Sequence, residues 1–378
     1  MEWPDPTSFA PTGIAVSKPR NFLSLSVKVA IPAAILSVLV YQASTDPRVT
    51  ALLQKPKRWD WFLLAFLFQT FGYTISHIRW WVLANAVRVR LSFWNAIRIG
   101  YIALAFHLIA FGVAGGDVLR AIFVCRDHPE RKRFAVASVV LDRGLGLLAM
   151  FFSVAAASFF IDWEALERAK ENAAQLAGAL KVICQVSGAV SLTAFAGILF
   201  LLIAGSPRGI AILRHYFEKL PGGKLIASLI DIVALYRSQP LALLTSLGMS
   251  FGVVINLSAC VYCLAKGLTE VTPSLGQHFI ITPISLIAGA VPLPMGIGTQ
   301  EAAMSLMYQW FGTQEVNTSY GLLVAIGYRM ITLMLMGIGV VFYFWQGRTA
   351  RQQMDDAIKT NETDDSTPLL KQPVPEAI

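Results

Sequence analysis

The chain has 378 residues, 55% of them hydrophobic and only 14% charged, with a mean hydropathy of +0.58. Soluble domains carry about 25% charged residues, so this composition excludes an ordinary soluble fold and predicts a polytopic membrane protein. The net charge of +8 suits loops facing anionic headgroups, and without any DNA- or RNA-reading motif it does not argue for a nucleic-acid partner.

Residues 1–21 are a polar N-terminal segment, and the first apolar run, 22–42, follows Lys18 and Arg20. No A-x-A cleavage site comes after it, which predicts an uncleaved first span rather than a signal peptide. Further runs long enough to span follow at 61–84, 134–161, 182–204, 240–265 and 318–346. Trp61, Trp80, Trp81, Tyr343 and Trp345 near their ends fit interfacial belts. Two other apolar stretches, 97–125 and 278–312, are broken by FGVAGGD at 111–117 and PLPMGIGTQE at 292–301. Gly and Pro runs end helices, so each reads as helix, non-helical tip, helix. The segment 207–238 reads either as interfacial amphipathic helices or as a solvated linker. The polar tail 347–378 has a disordered composition.

Basic residues orient these segments. Arg79, Arg88, Arg90 and Arg98 precede the first broken stretch, and Arg120, Arg126, Arg131, Lys132 and Arg133 follow its tip. Both flanks therefore read as cytoplasmic. The loop 162–181 holds four acids and three bases and reads as external, whereas 206–239 holds five bases and two acids and reads as cytoplasmic. The flanks of the second broken stretch, 266–277 and 293–317, read as external. One loop runs against the scheme: 43–60 carries Arg48, Lys55, Lys57 and Arg58 yet falls outside. The expected architecture is an all-α polytopic membrane protein with about six full spans and two re-entrant hairpins. The domain 22–346 divides into halves 22–161 and 182–346. Each half reads span, span, hairpin, span, and the odd number of spans makes the repeat inverted.

Charge in hydrocarbon costs roughly 2.5–3.5 kcal/mol per residue on insertion scales, so what is retained is informative. Asp117 and Arg120 follow the first tip, three positions apart and on one helix face. Asp142 and Arg143 lie inside the third span, Glu301 follows the second tip, and Arg329 lies deep in the last span. Asp117 precedes Arg143 by 26 residues and Glu301 precedes Arg329 by 28. Gly112, Gly115, Gly116, Gly296 and Gly298 would let backbone approach a ligand, while Pro292 and Pro294 shape the second tip. Broken helices also expose N–H groups suited to an anionic headgroup. Two readings stand beside each other. The charges are structural pairs, Asp117 with Arg143 and Glu301 with Arg329, or they line a ligand path; their matched placement at two tips favours the path. His77 and His107 read as polar packing. Cys260 and Cys263 have redox-like spacing inside an apolar run without a second pair, and read as filler.

The succession GGDVLR at 115–120, ASVVLDRGLG at 137–146, PLPMGIGTQEAA at 292–303 and GYR at 327–329 resembles the membrane domain of the lysylphosphatidylglycerol synthase/flippase family. Arg79 and Trp80 match the RW of that family's second span. His107 and Phe111 depart from the Asn and Pro that members often carry before the glycines. The resemblance implies the translocator half of those bifunctional proteins, and no lysine transfer from charged tRNA to lipid by this chain alone.

The leading expectation is a flippase or lipid-binding transporter in the cell's inner (plasma) membrane, both termini cytoplasmic, taking a phospholipid or lipid-linked ligand. The runner-up is a membrane enzyme acting on a lipid-linked substrate, with Asp117 and Glu301 as acid and base. A third is a partner of another membrane enzyme, and self-association is open. The sequence contains no metal-ligand spacing, nucleotide loop or nucleophile motif, so no cofactor and no catalytic residue is assigned.

The topology is testable with single cysteines at Leu220 and Asn172 in an otherwise cysteine-free chain. An impermeant reagent added outside should label position 172 and spare 220; the reverse pattern inverts the scheme.

Overall fold

The computed structural model describes residues 58–107, 115–168, 173–203, 230–269, 271–290, 298–311 and 318–345, together with the single residues Tyr41 and His215. All regular structure among them is helical: α1 (Trp59–Ala86), α2 (Phe93–Phe106), α3 (Gly115–Asp127), α4 (Lys132–Ser158), α5 (Trp163–Arg168), α6 (Ala173–Ile203), α7 (Pro240–Leu268), α8 (Leu275–Ala288), α9 (Thr299–Phe311) and α10 (Thr318–Trp345). Helices are what these apolar runs must form, because hydrocarbon offers backbone N–H and C=O groups no other partner.

Five helices are long and apolar enough to cross a membrane, and the chain is a multi-pass integral membrane protein. The expected sixth span, 22–42, lies outside the described residues, as do the tail and most of 207–238. The remaining spans match their predicted runs within a few residues, except that α6 begins nine residues earlier than its apolar run. Its exposed residues Val182, Val186, Val190, Leu192, Phe195 and Leu199 give it an apolar outer face suited to lipid.

The two broken stretches resolve into short helix pairs. α2 and α8 have 14 residues and α3 and α9 have 13, so each arm is roughly 20 Å long at 1.5 Å per residue. That falls short of the ~30 Å hydrocarbon core. α8 opens on a capping box: the Ser274 N–H donates to Gln277 Oε1 at 2.7 Å, and the Gln277 N–H donates to Ser274 Oγ at 3.3 Å.

The helices contact one another in a pattern that is preserved when the halves are exchanged. α1 packs on α7, running antiparallel, with Trp61 beside Tyr262 and Arg79 bonded to Ser250. α10 packs on the first arm of the first pair, α2, and α4 packs on the first arm of the second, α8. The second arms α3 and α9 pack on α4 and α10. The correspondence extends to single residues. A shift of 186 positions carries Arg143 onto Arg329 and Ser153 onto Gly339.

Ser153 and Gly339 make the same kind of contact with different chemistry. Pro283 lacks an N–H, which deprives the Phe279 carbonyl one turn earlier of its helical donor. Ser153 Oγ of α4 donates to that carbonyl at 3.0 Å. In the other half Ala105 keeps its N–H, and α10 approaches the Tyr101 carbonyl with Gly339 instead. A Cβ there would sit 2.0 Å from Tyr101 O, an impossible distance. Gly339→Ala should therefore force the helices apart and lower stability by about 1–3 kcal/mol, as overpacking does. Gly337→Ala, which meets nothing within 4 Å, should be neutral. Melting curves in detergent check both, and equal midpoints would refute the close approach.

Candidate functional site

The intramembrane charges expected to matter form two groups, one at each helix pair. In the first, five charged side chains are linked in a row. Arg79 Nε of α1 donates to Asp142 Oδ1 of α4 at 2.7 Å, and its Nη1 donates to Ser250 Oγ of α7 at 2.8 Å. Asp142 also faces Arg120 of α3 at 3.7 Å, and Arg120 lies 3.9 Å from Asp117, one helical turn away. Asp117 closes the row by accepting two hydrogen bonds from Arg143 of α4, from Nε to Oδ2 and, at 2.9 Å, from Nη2 to Oδ1.

The histidines belong to this network. Arg120 Nη2 meets His77 Nδ1 at 2.9 Å, and Arg143 Nη2 lies 3.5 Å from His107 Nε2. A guanidinium only donates, so His77 Nδ1 is the acceptor and the ring's proton sits on Nε2. Gly100 makes room for this ring, since a Cβ there would lie 2.4 Å from it. Gly116 performs the same service for the helix pair: its Cβ would strike the Ala103 carbonyl at 2.5 Å and His107 at 2.6 Å. Arg120 also stacks over Trp80, 5.3 Å from the ring centroid.

The second group is smaller. Glu301 Oε1 accepts from Arg329 Nε at 2.9 Å and Nη2 at 2.6 Å, while Oε2 accepts the Gly298 N–H at 2.8 Å. Glu301 thus pairs with α10 and caps its own helix at once. Gly298 has φ of 89°, the left-handed region that glycine enters without penalty. Gln300 Oε1 accepts a further bond from Arg329 Nη2 at 3.2 Å. Tyr73 of α1 hydrogen-bonds Tyr328, the neighbour of Arg329, and Gln69. Gln69, fully buried, donates to Thr332 Oγ1 at 2.6 Å.

The structure brings Asp117, Arg120, Asp142 and Arg143 together, and Glu301 with Arg329, in the two pairings the spacing suggested. Gly115 opens α3; Gly112, Pro292, Pro294 and Gly296 lie outside the described residues. Two participants, Arg79 and Gln69, were missed, and His77, read as polar packing, is bonded to Arg120. Arg79 counted as a flanking basic residue, yet it lies well inside α1 and is 4% exposed. Its helical register, seven residues before the end of α1, was the available signal. His77 and Gln69, polar residues within an apolar run, carried the same signal. Cys260 and Cys263 are buried free thiols, and among the described residues no group of three or more His, Cys, Asp or Glu side chains is placed to hold a metal ion.

Burial separates these charges. The Arg143 side chain is 42% exposed, whereas Arg79 and Asp142 are 5% and 3% exposed. Removing one partner of a buried pair strands the other, at about 3–5 kcal/mol. Asp142→Ala should therefore cost that much in thermal stability, while Arg143→Gln should cost clearly less. Similar melting shifts for both would refute the distinction.

The comparisons with known proteins agree with this architecture. No curated protein matches the chain. The family of the lysylphosphatidylglycerol synthase TM region matches over residues 24–339, far more than half of the chain. The chain belongs to the lysylphosphatidylglycerol synthase TM region family, a family of integral membrane proteins related to lipid handling.

Proposed function

We propose that the protein is a lipid translocator whose two arginine–carboxylate groups form a path for a phospholipid headgroup between leaflets. The observation that carries this reading is the matched placement of a paired arginine at each broken helix, with Arg143 exposed enough to exchange Asp117 for a ligand. Arginine's planar fork meets phosphate oxygens as it meets a carboxylate, so a headgroup can replace a carboxylate without rebuilding the site. Gly116 and Gly298 keep side-chain bulk away from the two helix starts. The protein resides in the plasma membrane with both termini cytoplasmic, on the distribution of Lys and Arg.

The second reading, acid–base catalysis by Asp117 and Glu301 on a lipid-linked substrate, has less support. Both oxygens of each carboxylate are held by arginine or backbone donors, which leaves neither poised to give up or take a proton.

Arg329→Lys keeps the charge and loses the fork. In proteoliposomes it should slow lipid translocation at least tenfold, one decade for each ~1.4 kcal/mol of lost contact, while its melting temperature stays near wild type. Glu301→Gln and the double variant complete a cycle whose coupling should be about 0.5–3 kcal/mol. Normal translocation by all three proteins would overturn the path, and loss that follows stability alone would make the pair structural.

A further inference from the structure

The turn between α1 and α2 is built twice in this bundle. A shift of 182 positions carries the α2 start, Phe93, onto the α8 start, Leu275, and the turn 87–92 onto 269–274. α1 and α7 run antiparallel, so the two turns lie at opposite ends of the bundle. Their inner sides agree. Val87, Val89 and Leu91 are buried in the first turn, as Thr269 and Pro273 are in the second. The first is held firmly: Trp81 Nε1 and Asn85 Nδ2 donate to the Leu91 carbonyl at 2.9 and 3.0 Å, and the Val89 N–H donates to the Ala84 carbonyl at 3.1 Å.

The outer sides differ in chemistry. Arg88 and Arg90 are both exposed, and neither side chain makes an ion pair or hydrogen bond among the described residues. The matching positions hold Glu270 and Thr272. The same kind of turn therefore forms without arginine. Arg88 even has φ of 61°, a region that glycine or asparagine enters more cheaply. The helix starts differ too. Ser274 and Gln277 close a capping box on α8, whereas the Ser92 side chain caps nothing. Asn95, at the position of Gln277, accepts from Arg98 at 3.0 Å instead. Phe93 and Trp94 come next, 37% and 75% exposed, in place of Leu275 and Gly276. Their rings meet edge to face at 5.5 Å, and Trp81 meets Phe93 at 5.6 Å. Tryptophan at the end of a span lies at the headgroup level, where an apolar ring and a polar N–H are both served. Two arginines without carboxylates at that level face phosphodiesters, which a guanidinium fork grips as it grips a carboxylate.

We infer that the α1–α2 turn is a docking site for an anionic phospholipid of the leaflet it faces. Arg88 and Arg90 take the headgroup phosphodiester, and Phe93 and Trp94 lie against the glycerol and the upper acyl chains. The second turn, with a glutamate and no aromatic ring, offers no such site, so the contact belongs to one membrane face. The docked lipid is a fixed partner of the bundle, and its site is separate from the headgroup path between the helix pairs.

The full chain in dodecyl maltoside is titrated with phosphatidylglycerol, phosphatidylcholine and soluble glycerophosphoglycerol, and bound molecules are counted by native mass spectrometry. Phosphatidylglycerol should be held at this site roughly tenfold or more tightly than phosphatidylcholine, the scale of two arginines near a headgroup layer. Arg88→Gln/Arg90→Gln should lose that lipid. So should Arg88→Glu/Arg90→Thr, which installs the side chains of the second turn and decides the matter if the first variant fails to fold. Lipid in the central path survives in both. Arg126→Gln/Lys132→Gln removes as much charge from the neighbouring α3–α4 link, which reaches the turn through Arg131 and the Val87 carbonyl, and should keep the docked lipid. Equal loss in that control would reduce the turn to diffuse basic charge and overturn the site. Unchanged retention by both arginine variants overturns it as well. Competition by glycerophosphoglycerol at equal concentration would make it a site for a free phosphodiester. Lipid that binds only after Asp355, Asp356, Asp364 and Asp365 are changed to Asn would give the surface to the acidic tail. Either result overturns the lipid site.

Discussion

Everything in this bundle is arranged around the cost of keeping charge away from water. An isolated guanidinium or carboxylate in hydrocarbon is so unfavourable that each must find a partner or a water-filled space. Among the described residues seven such groups lie at the two helix pairs, and each meets a partner across helices: α1 with α4, α3 with α4, α9 with α10. These bonds join segments that dispersion alone would hold loosely, because lipid tails compete equally for apolar surfaces. They also fix register, since a guanidinium meets a carboxylate at only a few angles.

The same constraint acts on the backbone. A proline in α8 would leave the Phe279 carbonyl unsatisfied, and Ser153 of a neighbouring span repairs it. The other half has no proline at the corresponding place, needs no repair, and uses Gly339 for contact so close that any side chain is excluded. Two halves with matching helix contacts thus differ at this position because one carbonyl has lost its donor. Close packing at one site and a hydrogen bond at the other are alternative answers to the same geometric demand.

Much of this was legible in the sequence, for identifiable reasons. Spans were readable because twenty apolar residues have few other uses, and the broken helices were readable because Gly and Pro punctuate them. Asp117, Arg143, Glu301 and Arg329 stood out because charge in an apolar run is conspicuous, and their spacing anticipated the pairs now observed. Arg79 was not readable in the same way. It lies two turns inside the end of α1, close in sequence to arginines that do flank the helix, and positive-residue counting cannot distinguish a charge facing the headgroups from one turned inward. His77 and Gln69 were hidden for a different reason: a polar side chain in a span declares that it has a partner without saying which. Those partners, Arg120 and Thr332, are 43 and 263 residues away, and only tertiary structure brings them together.

The divergence of the halves also explains why the centre is not electrically symmetric. The 186-residue shift that carries Arg143 onto Arg329 carries its neighbour Asp142 onto Tyr328. Both neighbours turn to α1, a helix of the first half: Asp142 to Arg79, and Tyr328 to Tyr73. The first half meets that helix with an ion pair and the second with neutral hydroxyls. Arg79 and Asp142 cancel each other, so the ion pair adds rigidity without net charge. Arg120 has no counterpart with its own carboxylate in the second half, where Met304 occupies the matching turn three residues after Glu301. The first group is therefore a five-membered network spread over three helices, and the second a single arginine–carboxylate pair that also caps its own helix.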